Sequence, residues 1–298
     1  MTSVALYTFA HGAAGAAELG SALGLDVRQI DVHTFPDGES LVRVPSVPDT
    51  AIVYCPLDRP NEKLIALMLA ADAFRRGGAR RLVLVAPYLC YMRQDKAFHA
   101  GEAVSQQAVS RLLSACFDRV VTVDAHLHRV SSIGEVFPGI EADNLLAAKA
   151  IAHFAAEKGH GKQTIVLGPD EESVQWVAQL ADELGARHAV GRKIRRGDQD
   201  VEIEFPDDPD VAGNPVLVVD DIVSSGGTIL SAVSAMKERG AATIHVAVTH
   251  ALFGKAVEEK ILFAGASAIW STTSVPHQTN TISLAGILAE VLRRELNE

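Results

Sequence analysis

Pro215-Val-Leu-Val-Val-Asp-Asp-Ile-Val-Ser-Ser-Gly-Gly-Thr228 is the stretch that decides the fold class of this chain. Residues 216–219 form a continuous apolar run, which is typical of a strand buried on both faces of a parallel sheet. Small and hydroxyl-bearing residues follow at 224–228, and apolar side chains then recur at helical spacing until Gly240 can end a helix. The pattern predicts a central strand, a tight loop and a helix.

The predicted loop is suited to an anion, because the start of a helix offers free backbone N–H groups and the positive end of the helix dipole. The two carboxylates that precede the loop would oppose a bare phosphate, but they suit sugar hydroxyls or a nearby Mg²⁺ ion. The combination predicts a ribose 5-phosphate site, against the alternative of an ordinary strand-to-helix turn. The residues that would form the site are Asp220, Asp221, Ser224, Ser225, Gly226, Gly227 and Thr228.

Composition argues against several classes of function. The chain has 298 residues, of which 48% are hydrophobic and 21% charged, as in a packed globular protein. Its formal net charge of -10 argues against a nucleic-acid partner, since binding to a phosphate backbone requires an excess of Lys and Arg. The cysteines, Cys55, Cys90 and Cys116, have no metal-type spacing and fit a reducing compartment. With no membrane-length apolar run and no signal-like N-terminus, the sequence predicts a cytoplasmic protein with no membrane partner.

Apolar runs alternate with amphipathic stretches, which predicts an α/β fold with parallel sheets flanked by helices. A weak internal repeat matches the strand–loop–helix–strand pattern from Arg81 to Leu127 with that from Pro215 to Leu252, although convergent spacing is an alternative. The repeat predicts two similar domains, residues 1–145 and 146–298, with the phosphate loop in the second and a last helix that could pack on the first. The predicted strands are residues 51–54, 82–86, 120–123, 165–167, 216–219 and 244–248.

Two segments of the first domain are candidates for nucleotide recognition. Phe35-Pro-Asp-Gly-Glu39 has the composition of a turn, yet its ring and carboxylates could stack on a purine and accept from its amino group. Pro87-Tyr-Leu-Cys-Tyr-Met-Arg-Gln-Asp-Lys96 follows a strand, and Arg93 offers a planar fork for phosphate oxygens or a base. A purely structural turn and a solvated loop are the respective alternatives.

A divalent ion is suggested by two further strand ends, Asp124-Ala-His-Leu-His128 and Gly168-Pro-Asp170. The imidazole of His126 and the carboxylate of Asp170 could hold such an ion, with its other positions left to water and substrate phosphates. The alternative for His126 is a histidine that satisfies backbone partners. A zinc site is not expected, because no cysteine or third histidine lies near in the sequence.

Gly191-Arg-Lys-Ile-Arg-Arg-Gly197 is the densest positive cluster of this acidic sequence. A mobile basic loop here could close over a triphosphate and place Lys193 and Arg195 on oxygens that gain charge in the transition state. A solvated turn on a hairpin is the alternative.

These segments together resemble the ribose-phosphate pyrophosphokinase family over nearly the whole chain, whereas the loop at 220–228 alone is also similar to that of phosphoribosyltransferases. Residues 101–105 and Ser224 look closer to the archaeal-type branch. The resemblance implies two phosphoribosyltransferase-type domains. It rests on matches in the family's order at Phe35-Pro-Asp-Gly-Glu39, Arg93-Gln-Asp95, Val123-Asp-Ala-His126, Ala142-Asp-Asn-Leu145, Gly168-Pro-Asp170, Lys193 with Arg195, and residues 220–228.

The resemblance also implies an activity, which is transfer of the diphosphoryl group of ATP to ribose 5-phosphate with Mg²⁺ as cofactor. It implies that Lys193 and Arg195 stabilise the transferring group and that His126 and Asp170 hold the metal. It further implies at least a dimer, since the family supplies the adenine-binding turn from a neighbouring subunit. The implied ATP-binding residues are Phe35, Asp37, Glu39, Arg93, Gln94 and Asp95.

Departures from the family pattern keep substrate choice open. Ser224 stands where many relatives have Asp, Ser225 lacks the usual threonine methyl, and Glu171-Glu-Ser173 replaces small residues after the candidate metal ligand. Those acids could crowd the site or add a carboxylate to it. The rival functions are a phosphoribosyltransferase and a catalytically weak regulatory homologue of the same fold.

Overall fold

The computed structural model describes residues 3–127, 130, 132–195, 201–204 and 210–297. The chain divides into two compact units. Unit 1 comprises Met1–Leu145, Ser274–Pro276 and Ser283–Glu298, and unit 2 comprises Leu146–Thr273 and His277–Ile282. The C-terminal helical segment therefore belongs to unit 1 and not to the unit that precedes it along the chain.

Strands and helices alternate through both units. The strands are β1 (Val4–Thr8), β2 (Val27–Gln29), β3 (Asp31–Thr34), β4 (Ser40–Arg43), β5 (Thr50–Tyr54), β6 (Arg81–Val85), β7 (Arg119–Val123), β8 (Glu141–Leu145), β9 (Ile165–Gly168), β10 (Arg187–Val190), β11 (Arg192–Arg195), β12 (Val201–Glu204), β13 (Pro215–Val223), β14 (Thr243–Ala251), β15 (Ala268–Thr272) and β16 (Asn280–Ile282). The α-helices are α1 (Ala13–Leu23), α2 (Pro60–Arg76), α3 (Ser105–Cys116), α4 (Ile133–Val136), α5 (Ala148–Glu157), α6 (Val174–Leu184), α7 (Gly227–Glu238), α8 (Lys255–Ala264) and α9 (Ala285–Leu292).

Unit 1 is built on a parallel sheet whose strands lie in the order β2-β1-β5-β6-β7-β8. The central strands β5 and β7 are buried at every residue, because helices cover both faces of such a sheet. The hairpin β3–β4 is separate from this sheet and is antiparallel. The predicted α/β class with mainly parallel sheets is confirmed.

Unit 2 repeats this plan with the order β10-β9-β13-β14-β15-β16 and a separate antiparallel hairpin, β11–β12. In both units the first two strands of the unit lie at one edge, the hairpin follows the second strand, and the next strand returns to the centre. This correspondence pairs β5 with β13 and β6 with β14.

The register of the repeat that the sequence predicted is wrong by one strand–helix unit. The sequence pattern matched the strand that begins at Arg81 with the one that begins at Pro215, whereas the sheet order places β5 opposite β13. The error has a physical origin: successive strand–helix units of an α/β fold have similar lengths and similar apolar patterns, so a shift by one unit preserves the match.

The last helical segment is fixed on unit 1 by polar contacts as well as by the packing of α9 on α1. Glu295 is fully buried and accepts hydrogen bonds from Arg81 Nε at 2.6 Å and Arg119 Nη1 at 2.7 Å. Burial raises the pKa of Glu295, but the hydrogen bonds from both guanidinium groups outweigh that effect and the pKa is lowered. Glu295 is therefore an ionised carboxylate inside the unit.

The six predicted strands are all present, and β13 and β14 extend by four and three residues beyond their predicted ends. β13 continues through Asp220 and Asp221 to Val223, paired with β14 at Asp220, Ile222 and Val223. The predicted helix after the loop is α7, and Gly240 follows it with a φ of 78°. None of the helices in the described residues is long and apolar enough to cross a membrane.

Candidate functional site

The sequence-predicted site residues lie mostly beyond the carboxyl ends of parallel strands. In unit 1 these segments follow β6 and β7, and in unit 2 they follow β9, β10 and β13. Parallel strands of one sheet end at the same edge, so each unit presents its polar loops together at one edge. The hairpin β3–β4 follows the edge strand β2 in the same way that β11–β12 follows the edge strand β10.

The loop between β13 and α7 has the geometry of an anion cradle. Gly226 caps the helix with a φ of 76°, a left-handed conformation that residues with a Cβ rarely adopt. A Cβ at Gly226 would also lie 2.4 Å from Cγ1 of Val257, so only glycine fits. Ser224 and Ser225 are exposed and Thr228 is half-buried, and the first turn of α7 has N–H groups without partners inside the helix. The loop predicted from sequence therefore has the expected conformation.

Asp220 and Asp221 form a closely coupled acidic pair at the end of β13. Asp220 Oδ1 accepts from the Asp221 backbone N–H at 3.0 Å, and Asp221 Oδ1 accepts from the Ile222 N–H at 2.7 Å. Burial, and then the charges of Asp221 and Asp170, raise the pKa of Asp220 well above its usual value. Carboxylates this close repel one another, so a cation or the hydroxyl donors of a sugar would stabilise them.

Asp170 follows β9 and is held by a short turn. The Ser173 backbone N–H donates to the Asp170 carbonyl at 3.1 Å, and Ser173 is fully buried. A Cβ at Gly168 would meet Oγ of Ser173 at 2.0 Å, so glycine is required there. Glu171 does not crowd this turn: its exposed carboxylate lies 3.4 Å from Nε of Arg192. Glu171, which departs from the family pattern, thus pairs with the basic hairpin.

The basic segment is an antiparallel hairpin in the part of it that the structure describes. Lys193 pairs with Ile203 and Arg195 with Val201 across the β11–β12 ladder. The sequence predicted a mobile basic loop, with a hairpin as the alternative, and the backbone of residues 192–195 is strand. Residues 196–200 lie outside the described residues, so the predicted mobility of that tip stays a prediction.

The turn Phe35-Pro-Asp-Gly-Glu39 is the tip of the hairpin β3–β4. The Phe35 N–H donates to the Glu39 carbonyl at 2.8 Å, and the Glu39 N–H donates to Asp37 Oδ1 at 3.1 Å. The Phe35 ring is 39% exposed and contacts His33 edge-on at 4.8 Å between centroids. The segment is therefore a turn, as one interpretation held, and it also presents an aromatic ring and two carboxylates to its surroundings.

Arg93, Gln94 and Asp95 lie in the loop after β6. Arg93 is exposed, and Gln94 Oε1 accepts from the hydroxyl of Ser105 at 2.9 Å. The Gln106 backbone N–H, in the first turn of α3, donates to the Gln94 carbonyl at 3.2 Å. Gln94 is therefore fixed by α3, while Arg93 is free to turn toward a ligand. Sequence reasoning did not identify Ser105 as the residue that orients Gln94.

His126 follows β7 through a strained backbone position. Asp124 has a φ of 40°, and its N–H donates to the Leu145 carbonyl at 2.8 Å. The Ala125 N–H donates to Asn144 Oδ1, also at 2.8 Å. Asn144 on β8 therefore orients the segment that carries His126. The sequence matched Asn144 to the family without giving it this role.

A magnesium ion fits the chemistry of the candidate donors. Asp170, Asp220 and Asp221 belong to one unit, and burial, followed by the charges of Asp221 and Asp170, raises the pKa of Asp220. A cation bound nearby would favour the ionised carboxylates. Among the described residues, no group of three or more His, Cys, Asp or Glu side chains forms a metal site by itself. Mg²⁺ commonly takes one or two carboxylates and completes its shell with water and phosphates, so a site with Asp170 as its carboxylate ligand fits this ion.

The fold and its loops define an α/β protein of the phosphoribosyltransferase type. Residues 141–279 match the family model described as phosphoribosyl transferase domain. Residues 5–116 match the model of the N-terminal domain of ribose phosphate pyrophosphokinase. The two models together cover most of the chain.

The chain belongs to the ribose-phosphate pyrophosphokinase family. It is 34% identical over 276 residues to the ribose-phosphate pyrophosphokinase of Methanopyrus kandleri, and the alignment covers 92% of this chain and 93% of the relative. It is 33% identical over 268 residues to that of Pyrococcus furiosus, covering 89% and 93%. The crystal structure of phosphoribosylpyrophosphate synthetase from Mycobacterium smegmatis aligns with a TM-score of 0.84 at 25% identity, over 99% of each chain. The predicted resemblance is confirmed, including its closeness to archaeal relatives.

Proposed function

We propose that this chain transfers the diphosphoryl group of ATP to the anomeric hydroxyl of ribose 5-phosphate, giving 5-phosphoribosyl 1-diphosphate and AMP. The observation that carries this proposal is the glycine-capped loop after β13 beside an acidic pair, in a chain that matches pyrophosphokinases along nearly its whole length. The loop accounts for the sugar phosphate, and the family match accounts for the ATP half of the reaction.

Ribose 5-phosphate binds to unit 2 in this proposal. Its phosphate lies on Ser224, Ser225, Gly226, Gly227 and Thr228, where hydroxyls and the first N–H groups of α7 donate to it. The ring hydroxyls donate to the acidic pair at the end of β13, whose repulsion they relieve.

The adenine of ATP is bound by Phe35, Asp37 and Glu39. Other parts of the nucleotide are bound by Arg93, Gln94 and Asp95. Arg93 is exposed on a loop whose next residue is fixed by α3, so its guanidinium can pair with phosphate oxygens. Lys193 and Arg195 neutralise the charge that develops on the transferring group.

The reaction forms a bond between the anomeric oxygen and the β-phosphorus and breaks the bond from that phosphorus to the oxygen shared with the α-phosphate. AMP leaves with this oxygen, and the proton of the anomeric hydroxyl passes to solvent. Such a transfer depends mainly on in-line placement and on neutralisation of charge. Mg²⁺, for which His126 and Asp170 are the proposed ligands, supplies part of that neutralisation when bound.

The proposed active unit is at least a homodimer, in which the turn at residues 35–39 completes the neighbour's adenine site. The support is the exposure of large apolar side chains on the β3–β4 hairpin, because isolated hairpins rarely leave such side chains in water without a partner. These side chains are Val32 at 44%, Phe35 at 39% and Leu41 at 51% exposed.

Resolving the products tests the activity directly. The chain is incubated with ATP, ribose 5-phosphate and Mg²⁺, and AMP is separated from ADP. AMP formed in equal amounts with a new diphosphate ester is the expected result, and ADP would instead mean a simple kinase. Binding of both substrates without any AMP would favour the regulatory homologue. Release of pyrophosphate from phosphoribosyl diphosphate only on addition of a nucleobase would favour a phosphoribosyltransferase.

Complementation tests the shared adenine site. Subunits with Phe35→Ala are mixed with subunits with Lys193→Ala, and mixed oligomers are verified by mass. If sites are shared, some sites in the mixture carry both intact residues, and activity that neither parent has is recovered. No recovery in verified mixed oligomers would mean that each subunit builds its own nucleotide site.

A further inference from the structure

The loop that carries Arg93 is strained at a residue just before it. Tyr91 has a φ of 61°, a left-handed conformation that a bulky side chain rarely adopts. Its neighbours Leu89, Cys90 and Met92 are almost fully buried, so core packing fixes the chain on both sides of the strained residue. Such strain persists only where surrounding contacts maintain it, and it is common near functional sites.

A hydrogen bond from another loop holds Tyr91 in this conformation. The Tyr91 hydroxyl donates to Oδ1 of Asn61, which lies in the first turn of α2. The Leu57 backbone N–H, just before α2, donates to the Tyr88 carbonyl at 3.0 Å. The loop after β6 is thus joined to the loop before α2 at one point and to the first turn of α2 at another.

The loop before α2 is itself fixed from within. Lys63 Nζ donates to Asp58 Oδ1 at 2.6 Å and to the Pro56 carbonyl at 2.9 Å. The Lys63 and Asp58 side chains are only 13% and 20% exposed, so this ion pair is partly shielded from water. The Lys63 cation, at the start of α2, is therefore already paired with the loop.

The sheet order shows what this loop corresponds to in unit 2. It connects β5 to α2, the position that the phosphate loop takes between β13 and α7. Arg59 caps α2 with a φ of 46°, as Gly226 caps α7 with a φ of 76°. The backbone plan of the phosphate loop is retained, but its contacts are made to the protein itself.

We propose that Asn61 and Tyr91 are positioning residues for ATP: their hydrogen bond uses the start of α2 as a support for the backbone leading to Arg93. Without the bond, Tyr91 is held at positive φ by the packing of its neighbours alone, so the Arg93 guanidinium is placed less precisely for the nucleotide. This inference rests on the proposed assignment of Arg93 and Gln94 to ATP, and it concerns the affinity for ATP, not that for ribose 5-phosphate.

The test measures the two Michaelis constants separately in four variants. Tyr91→Phe removes the hydroxyl, Asn61→Leu removes the acceptor, and the double variant removes both, whereas Asn61→Asp keeps an acceptor for the hydroxyl. Each of the first two is expected to raise KM for ATP about three- to tenfold, the range of one net hydrogen bond, with KM for ribose 5-phosphate within about twofold. Tyr7→Phe, which removes a hydroxyl bonded to Ser46 in the same unit, is the matched control.

Two features separate a positioning role from general destabilisation. The double variant should match either single variant, because each removes the same bond. Asn61→Asp should keep KM for ATP near that of the unmodified chain. Equal increases in both Michaelis constants, an effect of Tyr7→Phe as large as that of Tyr91→Phe, or additive effects in the double variant would overturn the inference. If the unmodified chain forms no AMP, the proposed function fails first, and direct ATP binding to the same variants by calorimetry tests the inference independently.

Discussion

In both units a hairpin follows the second strand before the chain returns to the centre of the sheet. In unit 1 this hairpin carries an aromatic ring and carboxylates at its tip, and in unit 2 it carries the basic segment that begins with Arg192. The two hairpins share a position in the fold and differ in chemistry. The comparison illustrates how one α/β plan can recognise different parts of a reaction through the side chains placed on equivalent loops.

The loop between β5 and α2 in unit 1 and the loop between β13 and α7 in unit 2 also share a position and differ in chemistry. Both begin a helix with a residue in the left-handed conformation, Arg59 in unit 1 and Gly226 in unit 2. In unit 1 Lys63 of α2 bonds to Asp58 and to the Pro56 carbonyl of the loop, whereas in unit 2 the hydroxyl residues Ser224 and Ser225 are exposed. The difference teaches that a binding loop can become a structural support when its polar groups are paired within the protein.

The units also differ at the opposite edge of their sheets, near the amino ends of the strands. Unit 1 buries an ionised Glu295 between Arg81 and Arg119. Unit 2 has a pair of imidazoles there, with His160 Nε2 2.8 Å from His245 Nδ1 and the Trp270 ring 4.5 Å from the His245 ring. One unit is therefore stabilised by charges and the other by neutral rings.

The largest effect is expected from removing the buried carboxylate. Glu295→Ala removes the buried partner of Arg119 and leaves Asp143 as its remaining carboxylate partner. Breaking a buried pair costs about 3–5 kcal/mol in the free energy of unfolding, and we expect a value near the lower end because Asp143 remains. Glu259→Ala, whose side chain is 66% exposed on α8, is the matched control in unit 2. Urea unfolding measures the free energy of unfolding of both variants. A shift for Glu295→Ala no larger than that of the control would mean that the ionic cluster does not stabilise unit 1.

The basic hairpin should matter for the chemical step. Lys193→Ala is expected to lower kcat by about 10²-fold or more, since the interaction would form mainly in the transition state. The midpoint of unfolding should change little. Lys255→Ala, which removes an exposed lysine on α8, is the control. Unchanged kcat in a folded Lys193→Ala variant would exclude a catalytic role for this hairpin.

The sequence predicted six of the eight interior strands and the phosphate loop, but it did not predict β1, β15 or the edges of either sheet. Continuous apolar runs identify β5, β7 and β13 because those strands are buried on both faces. β8 and β10 are partly exposed edge strands with polar side chains, so no periodicity marks them. Long-range pairing of this kind depends on tertiary contacts that a local pattern does not contain.

The candidate site likewise contains residues that the local sequence pattern predicts and residues that only the structure identifies. Glycines and hydroxyls at 224–228 have a local conformational reason, which is why their loop could be predicted from sequence. The residues that orient the site, Asn144, Ser105 and Asn61, act on segments distant in sequence. An asparagine or serine that donates or accepts across two loops has no local signature, so only the structure identifies it.

The imidazole pair should make unit 2 sensitive to acid. Burial, and then the neighbouring His245, lower the pKa of His160 from 6.5 to about 4. As the pH falls, His160 is therefore protonated at a lower pH in the folded chain than in the unfolded chain. The contribution of the neutral ring to the free energy of unfolding is complete above pH 6.5 and is lost progressively toward pH about 4. The expected loss is on the order of 2 kcal/mol. It should appear as a fall in the free energy of unfolding across that window.

His160→Gln tests the assignment of this loss, because glutamine can still bond to His245 but does not titrate. We expect the pH dependence between 6.5 and about 4 to flatten in this variant. His153→Gln, at an 81% exposed side chain of α5, is the control. His11 in unit 1 also has its pKa lowered to about 4, by burial and Lys63, so a residual slope is expected. An unchanged slope in His160→Gln would assign the acid sensitivity elsewhere.

The smallest effects are expected from a matched pair of substitutions at the two left-handed caps. Gly226→Ala forces a Cβ into a φ of 76° and to 2.4 Å from Val257 Cγ1, so the phosphate loop must move. We expect KM for ribose 5-phosphate to rise about tenfold, with KM for ATP nearly unchanged; a tenfold change corresponds to about 1.4 kcal/mol. Arg59→Gly, at the equivalent cap of α2, should leave KM for ribose 5-phosphate within about twofold.

Adding Val257→Ala to Gly226→Ala sharpens the argument, because it removes the methyl group that the new Cβ would meet but not the strain of the positive φ. Partial recovery of the affinity for ribose 5-phosphate is therefore expected, and full recovery would mean that crowding alone, not backbone conformation, makes glycine necessary. If Arg59→Gly weakened the binding of ribose 5-phosphate as much as Gly226→Ala does, the loop before α2 would also contribute to binding the sugar phosphate. The functional difference between the two units would then have to lie in their hairpins.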